Sequence, residues 1–358
     1  MIAACWIWLH YSNKRLPSPR PPAAPIAQAT QVVAEPRPAP ARVLPQTAPA
    51  VAPTPPPQTT APPKNEVART EVFPRPVRDV FEAQLALARQ GISPGSLDGF
   101  MGPQTRAALR AFQRKEHLFP TGALDPDTED HLLLAAPPYT TYTITTNDLA
   151  RLQPLSPTWL GKSRQTALDY ETILEMVAEK GHAYPSFIRR LNPSVDWTRI
   201  VAGTTVRLPD IAYTNGNAKA AFATISLSGK VLEAFGANTN LLAHFPCSIA
   251  QRVEKRPVGE LHVAVIVPNP DYTFKPELFP ESPEAWQLKT RLIISPGPNN
   301  PVGVAWIGLD KAGYGIHGTP SPEQVGRTES HGCFRLANWN AEYLLKLAWI
   351  GMPVYVEP

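Results

Sequence analysis

The chain has 358 residues and a formal net charge of +4, so it is too long for one ordinary small domain, and two or three folded parts are expected. Its Lys and Arg residues form no dense basic block, which argues against a nucleic-acid partner. The three cysteines, Cys5, Cys247 and Cys333, are too few for a disulfide framework and lack zinc-ligand spacing. Neither a metal nor another cofactor is therefore expected.

Residues 1–15 form an apolar, aromatic segment that includes Trp6, Ile7 and Trp8. The segment is too short to span a bilayer, and it lacks the basic start of a signal peptide. We interpret it as the remnant of an export or anchor segment, which predicts a membrane anchor at this end; a frayed apolar end is the alternative. Residues 16–70 are rich in Pro and Ala, a composition that predicts a disordered, extended linker.

Residues 71–137 carry the pattern of a small all-α bundle. The helix signals are, in chain order, Phe81, Leu85 and Ala88 at helical spacing, Gly91, Pro103, and Asp125-Pro126. The stretch resembles the three-helix peptidoglycan-binding domains at Asp98-Gly99, Gly102-Pro103, Thr105, Ala108-Leu109 and Phe112-Gln113. The resemblance implies a module that binds the cell wall, and a helical spacer without a ligand is the alternative.

Residues 140–210 predict a small α+β module. The pattern contains a strand near Tyr142–Thr145, helices near Tyr170–Lys180 and Ser186–Leu191, and a closing strand over Gly203–Pro209. This order looks like a LysM glycan-binding module. Roughly twenty residues around Asn147–Thr166 stand where that family usually has a short loop, so a packing domain remains the alternative to a glycan-binding one.

Residues 212–358 are strand-rich. Short β-branched runs over Ala221–Leu227 and His262–Val267 predict strands, and a late helix is predicted from about Asn340 to a stop at Gly351. Strands with a single late helix favour a mainly β fold whose loops build the site. The whole chain is thus predicted to be multidomain, with an all-α bundle, an α+β module and a mainly β domain.

One stretch of this third part combines a cysteine with two histidines and several glycines: His317-Gly318-Thr319, then Ser330-His331-Gly332-Cys333-Phe334-Arg335. A thiol becomes an effective nucleophile when a base takes its proton, and glycines allow backbone N–H groups to turn towards a reacting carbonyl. The pattern therefore predicts an acyl-transfer site with Cys333 as the nucleophile. From the residues alone, either His317 or His331 could be the base.

The same residues are similar to the signature of the YkuD-type L,D-transpeptidases, which also matches at Pro296–Gly303 and Trp306–Leu309. The resemblance implies that Cys333 attacks the third residue of a peptidoglycan stem tetrapeptide and that His317 transfers the protons. It also implies that the Gly318 carbonyl orients His317 and that N–H groups near Gly332 hold the oxyanion. Arg335, Ser330 and His331 are the expected substrate contacts. The sequence departs from the family at Arg256-Pro257-Val258-Gly259.

The expected product is a cross-link or another amine-linked modification of the cell wall, formed with release of D-Ala. The expected partners are peptidoglycan stem peptides and glycan, in the cell envelope, either periplasmic or extracellular. Two alternatives use the same sequence features. An L,D-carboxypeptidase would use water as the acceptor, and a non-catalytic wall-binding protein would keep the fold without the reaction. The sequence predicts no particular oligomeric state.

Overall fold

The computed structural model describes residues 71–213, 218–279, 282–288, 290–328, 330 and 332–358. The predicted anchor segment 1–15, the predicted linker 16–70 and His331 lie outside the described residues. Within the described ranges, no helix has both the length and the apolar character needed to cross a membrane.

The first part is the predicted helical one. Its elements are β1 (Arg75–Pro76), α1 (Val80–Arg89), α2 (Pro103–Lys115), α3 (Pro126–His131) and β2 (Leu133–Leu134), with β1 and β2 antiparallel. The sequence signals act as expected. Pro103 occupies the first turn of α2, and the Asp125 carboxylate accepts the Thr128 N–H at the start of α3.

The loop that resembles the peptidoglycan-binding motif is held by one buried amide, that of Gln84 on α1. Its oxygen accepts the N–H groups of Asp98 and Gly99, and its nitrogen donates to the Asp98 carboxylate and the Thr105 hydroxyl. Several motif residues therefore serve the geometry of the loop itself.

The middle part has the strand–helix–helix–strand order expected from sequence. Its elements are β3 (Tyr139–Thr143), α4 (Thr146–Arg151), α5 (Trp159–Lys162), α6 (Ile173–Lys180), α7 (Pro185–Leu191) and β4 (Thr205–Pro209). β3 and β4 pair antiparallel. The extra residues around 147–166 contribute α4 and α5. The helix predicted from Tyr170 begins at Ile173, because Thr172 and Glu175 form a capping box there.

The first and middle parts share one hydrophobic core rather than two. Phe81 of α1 stacks on Tyr139 with ring centroids 5.0 Å apart. The guanidinium of Arg89, which is 2% exposed, donates to the carbonyls of Ala136, Pro137 and Asp210. A guanidinium surrounded by carbonyls fixes both ends of the middle part against α1. The first and middle parts are therefore packed together as one unit.

The third part contains the remaining strands and helices. They are β5 (Phe222–Ser226), β6 (Val231–Phe235), β7 (Leu241–Pro246), β8 (Gly259–Pro268), β9 (Tyr272–Phe274), α8 (Pro283–Gln287), β10 (Leu292–Ile294), β11 (Ala305–Leu309), β12 (Gly315–His317), β13 (Phe334–Arg335), α9 (Asn338–Leu347) and β14 (Pro353–Glu357). Eight of the strands form one sheet in the order β13-β12-β11-β8-β14-β5-β6-β7. The pairs β12–β13 and β14–β5 are parallel, and the other pairs are antiparallel. The prediction of a helical N-terminal region followed by a mainly β part is confirmed.

The first part covers the β7 edge of this sheet. The Ser93 N–H donates to the His244 carbonyl at 2.8 Å, and the His244 N–H donates to the Gly91 carbonyl at 3.0 Å. Further along, the Gln104 amide donates to the Val325 carbonyl at 2.6 Å. An exposed sheet edge is a site of unwanted pairing, and here a segment of the same chain occupies it.

The described residues between β8 and β11 (272–279, 282–288 and 290–294), called the 272–294 lobe below, share a small apolar cluster with Leu168 and Trp159 of the middle part. Trp159 of α5 stacks on Phe274 at 4.2 Å between ring centroids. The Glu284 carboxylate accepts the N–H groups of Trp159 and Leu160 at 2.8 and 2.9 Å. The unexpected insertion in the middle part thus has a structural partner in the third part.

Candidate functional site

His317 is the last residue of β12 and is 6% exposed. Its Nδ1 lies 2.6 Å from the carbonyl oxygen of Gly318, the carbonyl that the sequence resemblance names. A carbonyl only accepts, so Nδ1 carries the proton and Nε2 carries the lone pair. The ring is therefore held in the tautomer that a base for a thiol needs.

The parallel pairing of β12 and β13 brings together the two segments that carry the key residues. Ile316 pairs with Phe334, and His317 pairs with Arg335. Cys333 directly precedes β13, so it follows the loop that leads into the strand beside His317. The two residues are sixteen positions apart in the sequence, and the strand pairing joins their segments.

The Cys333 thiol is half-buried, and its hydrogen donates to the Gly313 carbonyl at 3.6 Å. Burial raises the pKa of this thiol above its ordinary value, whereas a hydrogen bond from the Gly315 N–H and the charge of Arg335 lower it. Burial lowers the pKa of His317 to about 4, and the hydrogen bond to Gly318 opposes that shift. At neutral pH the resting pair is therefore a neutral thiol and a neutral imidazole, so the proton moves during attack rather than before it.

The loop before Cys333 is held from inside. The Ser330 hydroxyl, in a residue that is 8% exposed, donates to the Cys333 carbonyl at 2.5 Å and accepts the Gly332 N–H at 3.2 Å. A substrate oxyanion that accepts the Gly332 N–H would have to replace the Ser330 hydroxyl as the acceptor of that hydrogen bond. Both of these hydrogen bonds of the Ser330 hydroxyl join residues of the same loop. His331, the rival base, lies outside the described residues.

The charge of Arg335 interacts with both described cysteines and with His317. Its charge influences the pKa of Cys333 and His317, and both Cys247 and Cys333 influence its own pKa, which burial lowers. Cys247 itself is 0% exposed, and burial raises the pKa of its thiol to about 12. Of these two thiols only Cys333 reaches the surface, and Cys247 is a core residue.

Two aromatic residues beside the site were not assigned a role from sequence. Trp306 of β11 pairs in register with His317 and stacks on its ring, with centroids 5.7 Å apart. Tyr272, on the 272–294 lobe, is close enough to Cys333 for the two ionisations to couple. Trp306 lies inside a stretch that matches the family signature, but no sequence pattern links Tyr272 to the thiol. Within the described ranges, no cluster of three or more His, Cys, Asp or Glu side chains is arranged to hold a metal ion.

Two of the three parts match models of known protein families. Residues 220–356 match the family model of the L,D-transpeptidase catalytic domain (YkuD), and residues 77–132 match that of a "Putative peptidoglycan binding domain". The chain therefore carries an L,D-transpeptidase-type catalytic domain and a domain of the peptidoglycan-binding type. For the middle part, the LysM-like interpretation stays a prediction.

Individual relatives are distant. "Putative L,D-transpeptidase YkuD" of Bacillus licheniformis is 25% identical over 185 residues, which cover 52% of this chain and 93% of the relative. "Putative L,D-transpeptidase YqjB" of Bacillus subtilis is 33% identical over 105 residues, so the match spans 28% of this chain and about half (51%) of that relative.

Among solved structures, L,D-transpeptidase 3 of Mycobacterium tuberculosis is 17% identical with a TM-score of 0.31, over 45% of this chain and 77% of that one. Residues 123–326 of the L,D-transpeptidase from Xylanimonas cellulosilytica are 14% identical with a TM-score of 0.33, over 80% of this chain and 100% of that one.

Proposed function

We propose that this protein is a cysteine-dependent L,D-transpeptidase that acts on peptidoglycan stem tetrapeptides. The observation that carries the proposal is the pairing of β12, which ends at His317, with β13, which directly follows Cys333, together with the hydrogen bond from Nδ1 of His317 to the Gly318 carbonyl. The match of residues 220–356 to the L,D-transpeptidase catalytic domain supports the same reaction.

In the first half-reaction, Sγ of Cys333 attacks the carbonyl of the third stem residue while Nε2 of His317 accepts the thiol proton. Nε2 then gives this proton to the departing amine of D-Ala, the C–N bond breaks, and a thioester remains. In the second half, an amine of another stem attacks the thioester. Its proton passes to Nε2 and then to Sγ as the C–S bond breaks, which restores the free thiol.

The remaining site residues have supporting roles in this proposal. The N–H groups of Gly332 and Cys333 hold the oxyanion, and the Gly332 amide exchanges the Ser330 hydroxyl for it. Arg335 attracts a substrate carboxylate to the site. Ser330 and His331 contribute to the substrate-binding loop.

The decisive experiment incubates the full chain with purified disaccharide-tetrapeptides and identifies the products by mass spectrometry. We expect cross-linked dimers and one D-Ala released per cross-link formed. Cys333→Ala should give neither product, and Cys247→Ala is the matched control because that thiol is buried in the same domain. Tripeptide without dimers would instead identify an L,D-carboxypeptidase. No product from the folded wild-type chain would mean a non-catalytic wall-binding protein.

We further propose that the first part holds the enzyme on the wall, which places the protein in the cell envelope. A tethered second site raises the local substrate concentration without changing the chemistry. Phe100, in the motif loop, is 64% exposed and available to a wall ligand. Phe100→Ala should weaken pelleting of the full chain with insoluble sacculi, whereas Phe119→Ala, at an 84% exposed position outside the motif, should not. Equal pelleting of both variants would contradict this role of the loop.

A further inference from the structure

The side-chain amide of Asn338, at the start of α9, joins two segments that flank the candidate base. Asn338 is 1% exposed. Its Oδ1 accepts the N–H of Thr319 at 3.0 Å and that of Val304 at 3.4 Å. Its Nδ2 donates to the Pro298 carbonyl at 3.1 Å and to the Glu179 carboxylate at 3.1 and 3.3 Å. Every polar atom of this buried amide is thereby satisfied.

The Thr319 N–H and the Gly318 carbonyl belong to one peptide unit, which is planar and rigid. Asn338 holds the N–H end of this unit, and Nδ1 of His317 donates to the carbonyl end at 2.6 Å. A rotation of the peptide unit would break both hydrogen bonds. The orientation of the Asn338 amide is therefore transmitted to the His317 ring through one rigid group.

The amide also fits its place closely. A β-carbon on Gly318 would lie 2.3 Å from Asn338 Oδ1, and one on Gly303 would lie 2.0 Å from it. These distances are far below contact distance, so both positions need glycine for the amide to enter. A small displacement of Asn338 cannot be absorbed by empty space around it.

Glu179 determines which way this amide faces. It lies on α6 of the middle part, 159 residues before Asn338 in the sequence. An ionised carboxylate only accepts, and a protonated carboxyl keeps one accepting oxygen, so in either state Glu179 favours Nδ2 towards itself and Oδ1 towards the Thr319 N–H. The flipped amide would bring Oδ1 of Asn338 against a carboxyl oxygen. The Tyr170 hydroxyl also donates to the Glu179 carboxylate, at 3.4 Å, through a hydrogen bond that does not involve Asn338.

We propose that Glu179 is a positioning residue for His317 and acts through Asn338 and the Gly318–Thr319 peptide unit. The middle part then completes the catalytic site, a role distinct from glycan binding. The inference deepens the proposed function, since it takes His317 as the base for Cys333. The middle part thereby affects the rate of acylation through Glu179.

The test uses full-length variants that change one link at a time. Glu179→Met removes the acceptor at similar size, Glu179→Gln keeps one acceptor oxygen, and Tyr170→Phe removes only the other donor to the carboxylate. For each we would measure kcat and KM for D-Ala release, the rate of iodoacetamide alkylation at the Cys333 peptide, and the unfolding midpoint. Following one peptide by mass separates Cys333 from the other thiols.

We expect Glu179→Met to lower kcat about 10- to 100-fold with KM nearly unchanged, as a small misplacement of a catalytic group does. Alkylation of Cys333 should slow in parallel. Glu179→Gln and Tyr170→Phe should stay within a few-fold of the wild type. A folded Glu179→Met variant with wild-type kcat and alkylation would overturn the proposal, and so would equal losses in the Met and Gln variants.

Asn338→Asp provides the test if Glu179→Met does not fold. It keeps Oδ1 and replaces the donor to Glu179 by an oxygen, so it should lose activity. Adding Glu179→Gln to it places an amide opposite a carboxylate again and should restore part of the rate; no restoration would count against the link. If the wild-type chain released no D-Ala, the proposed reaction would fail, and the alkylation rates would still decide whether Glu179 positions His317.

Discussion

The indole ring of Trp306 occupies the space that a β-carbon on Gly315 would need. Such an atom would lie 2.6 Å from both Cζ2 and Cη2 of the indole. The same indole stacks on His317, and the Gly315 amide lowers the pKa of the Cys333 thiol. One glycine therefore serves the base and the nucleophile at once, through its missing side chain and through its amide.

Gly315→Ala should displace the indole and with it the His317 ring, because the added methyl group has no other space. We expect kcat to fall at least about 10-fold. The smaller ring of Trp306→Phe, added to Gly315→Ala, should recover part of this loss. Gly102→Ala is the control, since nothing lies within 4 Å of a β-carbon there. Wild-type activity in the single Gly315→Ala variant would contradict the packing argument.

The acylation rate should be insensitive to pH over the neutral range and fall in acid. Burial lowers the pKa of His317 to about 4. Above that pH the imidazole is neutral and can accept the thiol proton; below it the imidazole is protonated and cannot. Alkylation of Cys333, followed from pH 3 to 8 on the folded protein, measures this directly.

Two variants separate the candidate bases in that experiment. His317→Ala should abolish the acid limb and slow the reaction by about 10²–10⁴-fold, the usual loss on removing a general base. His331→Gln should keep the limb and most of the rate. The opposite ranking would move the base to His331.

Glu179 should make the protein less stable as pH rises. Burial chiefly raises its pKa from 4.5 to about 7, with contributions from the nearby Glu175 and Glu342 charges, while the hydrogen bonds from Asn338 and Tyr170 oppose the shift. Between about pH 4.5 and 7, the unfolded chain has lost this proton and the folded chain keeps it, so the free energy of unfolding falls with rising pH.

Glu179→Gln should therefore be more stable than the wild type at pH 8, by up to about 3 kcal/mol for this shift, and equally stable at pH 4. Chemical denaturation at the two pH values measures the difference. Glu82→Gln is a control of opposite sign. The hydrogen bond from Arg75 lowers the pKa of Glu82, so the variant should be destabilised at pH 8. A Glu179→Gln variant less stable than the wild type at pH 8 would contradict the assignment.

Trp159 should control the order of the 272–294 lobe. Removing its stack on Phe274 in Trp159→Ala should raise KM for the tetrapeptide, because Tyr272 on that lobe adjoins Cys333. Trypsin should also cleave faster after Arg291, at a nearly unchanged midpoint of global unfolding. Trp286→Ala, on the same lobe at a position 73% exposed, is the matched variant and should change neither quantity. An unchanged KM and an unchanged cleavage rate in Trp159→Ala would mean that α5 does not contribute to the site.

Local signals in the sequence predicted the elements that obey local rules. Asp125 and Pro103 mark helix starts because caps and prolines act on their own neighbours, and the order of strands and helices in the middle part follows from periodicity. The glycine-rich Cys–His stretch predicted which residues could carry chemistry, because its residue types are themselves chemical. The sequence thus predicted the candidate catalytic residues. It did not predict the residues that pack against them and support their positions.

Those supports depend on contacts between distant segments, which no local pattern encodes. In the sequence, Glu179 is an ordinary polar residue near the end of an amphipathic helix, and its hydrogen-bond partner Asn338 is 159 residues away. Trp159 lies in what the LysM comparison treats as surplus loop, yet it packs on Phe274. A division of the chain at sequence boundaries foresees neither contact, because sequence boundaries are not packing boundaries.

The position of β14 has a consequence for how the protein is made. Among the strands described, β14 comes last in the chain, yet it lies in the middle of the sheet between β8 and β5. Until residues 353–357 leave the ribosome, the half-sheet with Cys333 and His317 has no strand connecting it to the half formed by β5, β6 and β7. Closure of the sheet that supports the nucleophile thus waits for the last strand described, so the scaffold around Cys333 and His317 is completed only after every residue of the site has been synthesised.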